Sequence, residues 1–250
     1  MGASPTAAIV RFETVESTQS VAFALAERGA ADRTVVVADQ QSAGRGRRGR
    51  TWQAPAGTSL LASIIVRPRL PQSLLATLSL ATAVATTDAL GRVARVKARV
   101  KWPNDVLVEG KKIAGILLES RLGAQPLPAI GVGINLGQRE FPPDLAATAT
   151  SVALETGRVP DRETMLATLL EEFDAWRARL EGEGFGPVRE RWRALSDTIG
   201  RRVTVDAISG VAVDLDADGA LLIDVGGEIK RVIAGAITSG DAAASAPSRG

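Results

Sequence analysis

Cysteine, histidine and tyrosine are all missing from this 250-residue chain. Without cysteine there is no disulfide framework, no thiol nucleophile and no thiolate metal site. Without histidine the commonest general base, the base of a hydrolytic triad and the commonest transition-metal ligand are gone. Chemistry must then rest on Lys, Arg, Asp, Glu, Ser, Thr, side-chain amides and the backbone. That set suits reactions run by positioning and electrostatics, such as phosphoryl or nucleotidyl transfer. A hard cation such as Mg2+ stays compatible, because its ligands are oxygens. Charge of one sign is scarce too. Thirty basic against 28 acidic residues leave a net charge of +2, so the whole-chain balance says little about nucleic acid or membrane binding. The first residues show no positive stretch leading into an apolar one, and no run of about 18 apolar residues occurs, so neither a signal peptide nor a membrane span is expected. A cytoplasmic protein is the default expectation.

What is present is enough for a sizeable core, since 45% of the residues are hydrophobic. The length suits one large domain plus a small one. Strands are expected over residues 7–14, 34–38, 58–66, 97–101, 106–109, 112–120 and 129–135. A turn at Gly110-Lys111 would join two of them as a hairpin. Helices are expected over 19–30, 73–91, 161–180 and 185–196, with Ser17 and Thr18 as N-cap types before the first. After Ile199 the pattern changes to four short strands, with turns at Ser209-Gly210, Asp216–Gly219 and Gly226-Gly227. Such a module of roughly 40 residues is marginal alone and should dock on the rest. The last residues are Ala-, Ser- and Gly-rich and read as a disordered tail. The mixed order with a hairpin argues for α+β with a largely antiparallel or mixed sheet, not a doubly wound one.

Gly44-Arg45-Gly46-Arg47-Arg48-Gly49-Arg50 is the most unusual segment. It matches G-x-G-x-x-G formally and follows a strand. The dinucleotide fingerprint needs a helix to open at its glycines, however, and Pro55 and Gly57 stand there instead. The physical content is an anion clamp. Four guanidiniums can hold carboxylate or phosphate bidentately, and glycines let backbone approach the ligand. Such a loop repels itself when empty and should order when an anion arrives. Taken alone it fits a small anionic ligand or a nucleic-acid backbone equally well.

Five segments occur in order: Ser17-Thr18-Gln19; Gln41 with GRGRRGRTW (Gly44–Trp52); KWPND (Lys101–Asp105); KIAG (Lys112–Gly115); and GVGIN (Gly131–Asn135). Together they resemble the biotin protein ligase family over residues 7–238. The resemblance implies a catalytic domain related to class II aminoacyl-tRNA synthetases, residues 1–199, then an SH3-like β-barrel, residues 200–239, with 240–250 as the tail. It implies activation of biotin by ATP–Mg2+ and transfer to a lysine of a biotin carboxyl carrier protein. The first strand starts near residue 7, so a form without an N-terminal DNA-binding domain is expected, as monomer or homodimer, with no DNA or membrane as partner.

The same resemblance implies the site. Lys112 and Arg45 are the catalytic candidates. Biotin would meet Ser17, Thr18, Gln19, Gln41, Gly44, Arg45, Gly46, Arg47, Lys112, Gly115 and Gly131, with Gly133 also under its rings. Gln19 departs from the family's usual Asn by one methylene. The nucleotide would meet Arg45, Arg47, Trp52, Lys101, Asn104, Asp105, Lys112 and Asn135, with Asp105 a candidate Mg2+ ligand. The loop 139–150 would lie over adenine, Phe141 or Leu145 supplying apolar contact. Trp52 is read rather as a loop anchor, and Arg48 and Arg50 as supporting charge. A lipoate-type ligase and a nucleic-acid-binding module are the alternatives.

Overall fold

The computed structural model describes residues 8–121 and 127–239. The tail expected at 240–250 lies outside the described residues. The order opens β1 (Ile9–Val15), α1 (Thr18–Glu27), β2 (Val35–Gln41), β3 (Ser59–Ile65), α2 (Thr77–Ala94) and β4 (Arg99–Lys101). It continues β5 (Asp105–Val108), β6 (Lys111–Arg121), β7 (Leu127–Asn135), α3 (Val152–Thr156), α4 (Arg162–Glu183) and α5 (Gly186–Leu195). Five short strands close it: β8 (Arg202–Val205), β9 (Ile208–Leu215), β10 (Leu221–Val225), β11 (Glu228–Val232) and β12 (Ile237–Ser239).

The first seven strands form one mixed sheet in the order β1-β2-β3-β7-β6-β5-β4. Only β1 and β2 pair in parallel; the other neighbours are antiparallel. The mixed α+β expectation is therefore met. β3 is buried along its whole length, as its predominantly apolar sequence implies. α2 and α4 lie together against the sheet and share its core, with Leu78, Leu90, Leu169 and Phe173 almost fully buried. By length and composition the stretch Gln72–Ala94 could cross a membrane, yet 67% of its most apolar 18-residue window is buried inside the structure. Its apolar character is that of a core helix. Thr82, Thr86 and Thr87 are buried in it, and each hydroxyl donates to the carbonyl four residues back, which satisfies them without a partner helix.

The second sheet runs β11-β10-β9-β8-β12 and continues the core of the first through Val203, Val205, Leu215 and Leu221. Trp102 joins the two. Its Nε1 donates to the Gly219 carbonyl at 3.2 Å, and its backbone N–H to Thr198 Oγ1 at 3.0 Å.

Several local expectations are corrected. Ser209-Gly210 is not a turn: both residues lie in β9 and pair with Thr204 and Val203. A Cβ on Gly210 would stand 2.2 Å from the Asp224 carbonyl oxygen, so the glycine serves close strand approach. The turn is Asp206-Ala207. A fifth strand, β12, and the short helix α3 had no periodicity long enough to reveal them. The β5–β6 turn is Glu109-Gly110, one residue earlier than expected, with φ of 48° and 77°. Positive φ at both central positions is what a two-residue hairpin of type I′ demands. α2 begins at Thr77, after a separate short turn at Gln72–Leu74.

Candidate active site

α1 starts in an unusual way. Ser17 occupies the N-cap position but its hydroxyl makes no capping bond. Gln41, the last residue of β2, does that work: its Oε1 accepts from Thr18 N at 2.7 Å and from Thr18 Oγ1 at 3.0 Å. A backbone N–H can only donate, so the Gln41 oxygen is fixed toward α1 and its NH2 group points elsewhere. Thr18 Oγ1 also meets Ser63 Oγ of β3 at 2.8 Å, and Ser63 Oγ donates to Gln19 Oε1 at 2.9 Å. Gln19 Nε2 donates to the carbonyls of Ala129 at 2.8 Å and Leu117 at 3.3 Å. The extra methylene of Gln19 thus reaches through to β6 and β7, and the side chain is 2% exposed.

The floor of the cleft is backbone. A Cβ on Gly131 would stand 3.0 Å from Gln19 Oε1, and one on Gly133 2.7 Å from the Trp52 ring. A Cβ on Gly115 would stand 3.1 Å from the same ring and 3.0 Å from the Lys112 Nζ. Trp52 is therefore both things at once: an anchor laid on the glycine floor and part of the cleft lining. Its Nε1 is buried with no hydrogen-bond partner.

The opposite wall is the arginine loop. It folds back on itself, with Trp52 N donating to Gly44 O at 2.9 Å and Gly46 N to Arg50 O at 2.7 Å. Gly44 is required there, since a Cβ would stand 2.3 Å from the Trp52 carbonyl oxygen. The expected self-repulsion is offset from inside the chain. Arg45 meets Glu119 at 3.0 Å, Arg47 donates to Asn104 Oδ1 at 3.3 Å, and Arg48 meets Asp206 at 3.1 Å. Burial lowers the Arg47 pKa from its ordinary value; Asp105 opposes that shift and Arg48 adds to it.

Lys112 enters from β6. Its Nζ lies 2.6 Å from Asp105 Oδ1 and 5.7 Å from the centre of the Trp52 ring. Lys111 beside it is exposed, as strand alternation requires. The Lys112 backbone is clamped as well. Its N–H donates to Thr148 O at 2.7 Å, and its carbonyl accepts from Thr150 N at 2.9 Å. Asn104 is locked by its Nδ2 on the Ile116 carbonyl at 2.7 Å.

These groups line one cleft: Ser17, Thr18, Gln19, Gln41, Arg45, Gly46, Arg47, Trp52, Asn104, Lys112, Gly115, Gly131 and Gly133 are all there. Ser63, Leu61, Ile116, Leu117 and Val132 join them. Four expected residues stand outside the lining. Gly44 shapes the loop, Asp105 stands behind Lys112, and Lys101 pairs in register with Asp105. Asn135 donates to the Thr150 carbonyl at 2.9 Å and accepts from Gln138 at 3.0 Å. Phe141 and Leu145 do not line the cleft either; Leu145 is 42% exposed. Sequence reasoning passed over Ser63 and Glu119. Ser63 left one signal, a hydroxyl flanked by Leu60, Leu61, Ala62, Ile64 and Ile65 in a buried strand. Glu119 left none.

The model of the biotin/lipoate A/B protein ligase family matches residues 11–135, and that of the biotin protein ligase C-terminal domain matches 198–238. The biotin–[acetyl-CoA-carboxylase] ligase of Paracoccus denitrificans is 39% identical over 223 residues, covering 83% of this chain and 90% of that protein. The ligase of that name from Mycobacterium tuberculosis is 38% identical, covering 88% and 84%. The solved biotin protein ligase from Aquifex aeolicus in complex with biotin and ATP superposes with a TM-score of 0.81 at 28% identity, covering 92% and 97%.

Proposed function

The chain belongs to the biotin protein ligase family, and we propose that it activates biotin with ATP and passes it to a lysine of a biotin carboxyl carrier protein. One observation carries this reading. All five ordered motifs bring side chains or glycines into a single cleft, the KWPND segment through Asn104 alone. The names of the curated relatives favour biotin over lipoate.

In the first step a biotin carboxylate oxygen attacks the α-phosphorus of ATP in line and pyrophosphate leaves, giving biotinyl-5′-AMP. In the second the carrier's lysine amine attacks the acyl carbon, AMP leaves and the amine's proton passes to solvent. No covalent enzyme intermediate is needed, which suits a chain without cysteine or histidine. Ser17, Thr18 and the NH2 of Gln41 are assigned to the ureido ring; Gln19 supports them from behind, its polar atoms being spent on the sheet. Gly115, Gly131 and Gly133 supply the flat floor for apolar rings. Arg45 and Lys112 face the reacting carboxylate and α-phosphate, where fixed cations stabilise the charge that develops. Gly46 lets the loop approach, and Arg47, Asn104 and Trp52 take the nucleotide side. Lys101 and Asn135 keep nucleotide roles on motif grounds alone.

Among the described residues no group of three or more Asp, Glu, His or Cys is placed to hold a metal. Asp105 offers a single carboxylate beside Lys112, which fits Mg2+ carried mainly by phosphates and water. Bound there, Mg2+ would neutralise phosphate charge. Incubation with biotin, ATP, Mg2+ and a carrier domain should give a streptavidin-detectable product, and with lipoate in place of biotin the mass of the carrier should stay unchanged. No product with biotin overturns the assignment.

A further inference from the structure

Arg48 turns away from the cleft. Its Nη2 donates to both carboxylate oxygens of Asp206, at 3.1 and 3.3 Å. Asp206 lies 158 positions further on, in the turn between β8 and β9. Both residues hold left-handed backbone, Arg48 at φ 55° and Asp206 at φ 52°. That region is uncommon for any residue with a Cβ, more so for Arg than for Asp. The ion pair therefore joins two turns of constrained backbone, one in the arginine loop and one at the edge of the second sheet.

The two ends differ in how firmly they are held. Asp206 follows Val205, which is fully buried, and its sheet is tied to the main one through Trp102 and Gly219. The turn Arg47–Gly49 has no buried residue at all. Asp206 is the fixed end and Arg48 the movable one. Arg48 also directly follows Arg47 and lies three residues from Arg45, the two guanidiniums that do line the cleft.

We infer that Asp206 is a positioning residue: the second sheet holds the arginine loop in register with the cleft through the Arg48–Asp206 pair. The idea extends the ligase reading by giving the C-terminal strands a part in ligand binding, but its first test needs no ligand. The pair is half exposed, so its effect is modest and screened by salt, about two- to fivefold in the loop's opening equilibrium.

The loop offers trypsin four arginines between residues 45 and 50. Asp206→Asn keeps the turn's tolerance of left-handed backbone and removes only the charge. In ligand-free protein at low salt, nicking within residues 45–50 should run about two- to fivefold faster than in the parent, and the difference should vanish as salt rises. The double exchange Arg48→Asp with Asp206→Arg removes one of those trypsin sites, so it is read by hydrogen exchange of residues 44–52, which should return to the parent's rate. In the biotin-activation assay Asp206→Asn should raise KM for ATP by a similar factor with kcat held. Should Asp206→Asn not fold, Arg48→Gln reads the same contact from the other side, by hydrogen exchange of residues 44–52. Parent-like nicking or exchange at low salt, or failure of the charge exchange to restore it, overturns the inference whatever the ligase assay shows.

Discussion

The two walls of the cleft are built on different principles. One is sheet: Gly115, Gly131 and Gly133 on neighbouring strands, each with a large side chain lying where a Cβ would be. The other is loop: arginines held by single ion pairs or amides on a turn with no buried residue. A sheet wall fixes shape, and any change in it is felt as packing strain. A loop wall fixes charge, and it can move without disturbing the core. The lesson is that shape recognition and charge recognition are assigned here to parts of different stiffness. Substitutions on the two walls should therefore fail differently, the first in stability and binding together, the second in binding and rate alone.

The largest effect should come from the residue between the walls. Lys112→Ala removes a cation whose backbone is clamped on β6, and adenylate formation followed by pyrophosphate release should fall about 100- to 1000-fold; turnover within a few fold of the parent refutes the catalytic role. Next is Arg47→Ala on the loop wall. Loss of charge-assisted bonds should weaken ATP binding by roughly 10- to 100-fold with the melting temperature unchanged, read by calorimetry beside a thermal melt. A matched fall in melting temperature would erase the contrast between walls.

On the sheet wall, Gly133→Ala must push the Trp52 ring aside, at about 1–3 kcal/mol of stability. Tryptophan fluorescence and a denaturant melt should both change, and biotin affinity should drop with them. Gln19→Asn should cost about 1–2 kcal/mol, because the shorter amide cannot satisfy both the Ala129 carbonyl and Ser63. The smallest effect should be Arg50→Ala. Arg50 has no ion pair among the described residues, and ATP affinity should stay within about twofold.

Much of the sheet wall was legible in advance, because its signals are local. Ser17-Thr18 announced a helix start, Gly131 and Gly133 a strand with faces kept clear, and Lys112 a hairpin position whose neighbour must face away. The partners of those residues were not legible. Nothing near Gln19 says that it ends on the carbonyls of Leu117 and Ala129, about a hundred positions away. Nothing near Arg48 points to Asp206, or near Arg45 to Glu119. Charge pairing carries no period, so only the folded chain reveals it. Gly210 failed for the opposite reason. Glycine is a strong turn signal, and here close packing of β9 on β10 had the better claim.

The strand order has a consequence for how the protein is made. β7 lies between β3 and β6 in the main sheet, so the central strand is the last of the seven to be synthesised. Until residues 127–135 leave the ribosome, Gln41 and Ser63 sit on one ribbon and Asn104 and Lys112 on another, with nothing to join them. A nascent chain stopped short of β7 holds the arginine loop but only Gly115 of the glycine floor, and no cleft. Binding competence should therefore arrive abruptly during translation, and ligand added to ribosome-bound chains should find no purchase before that strand emerges.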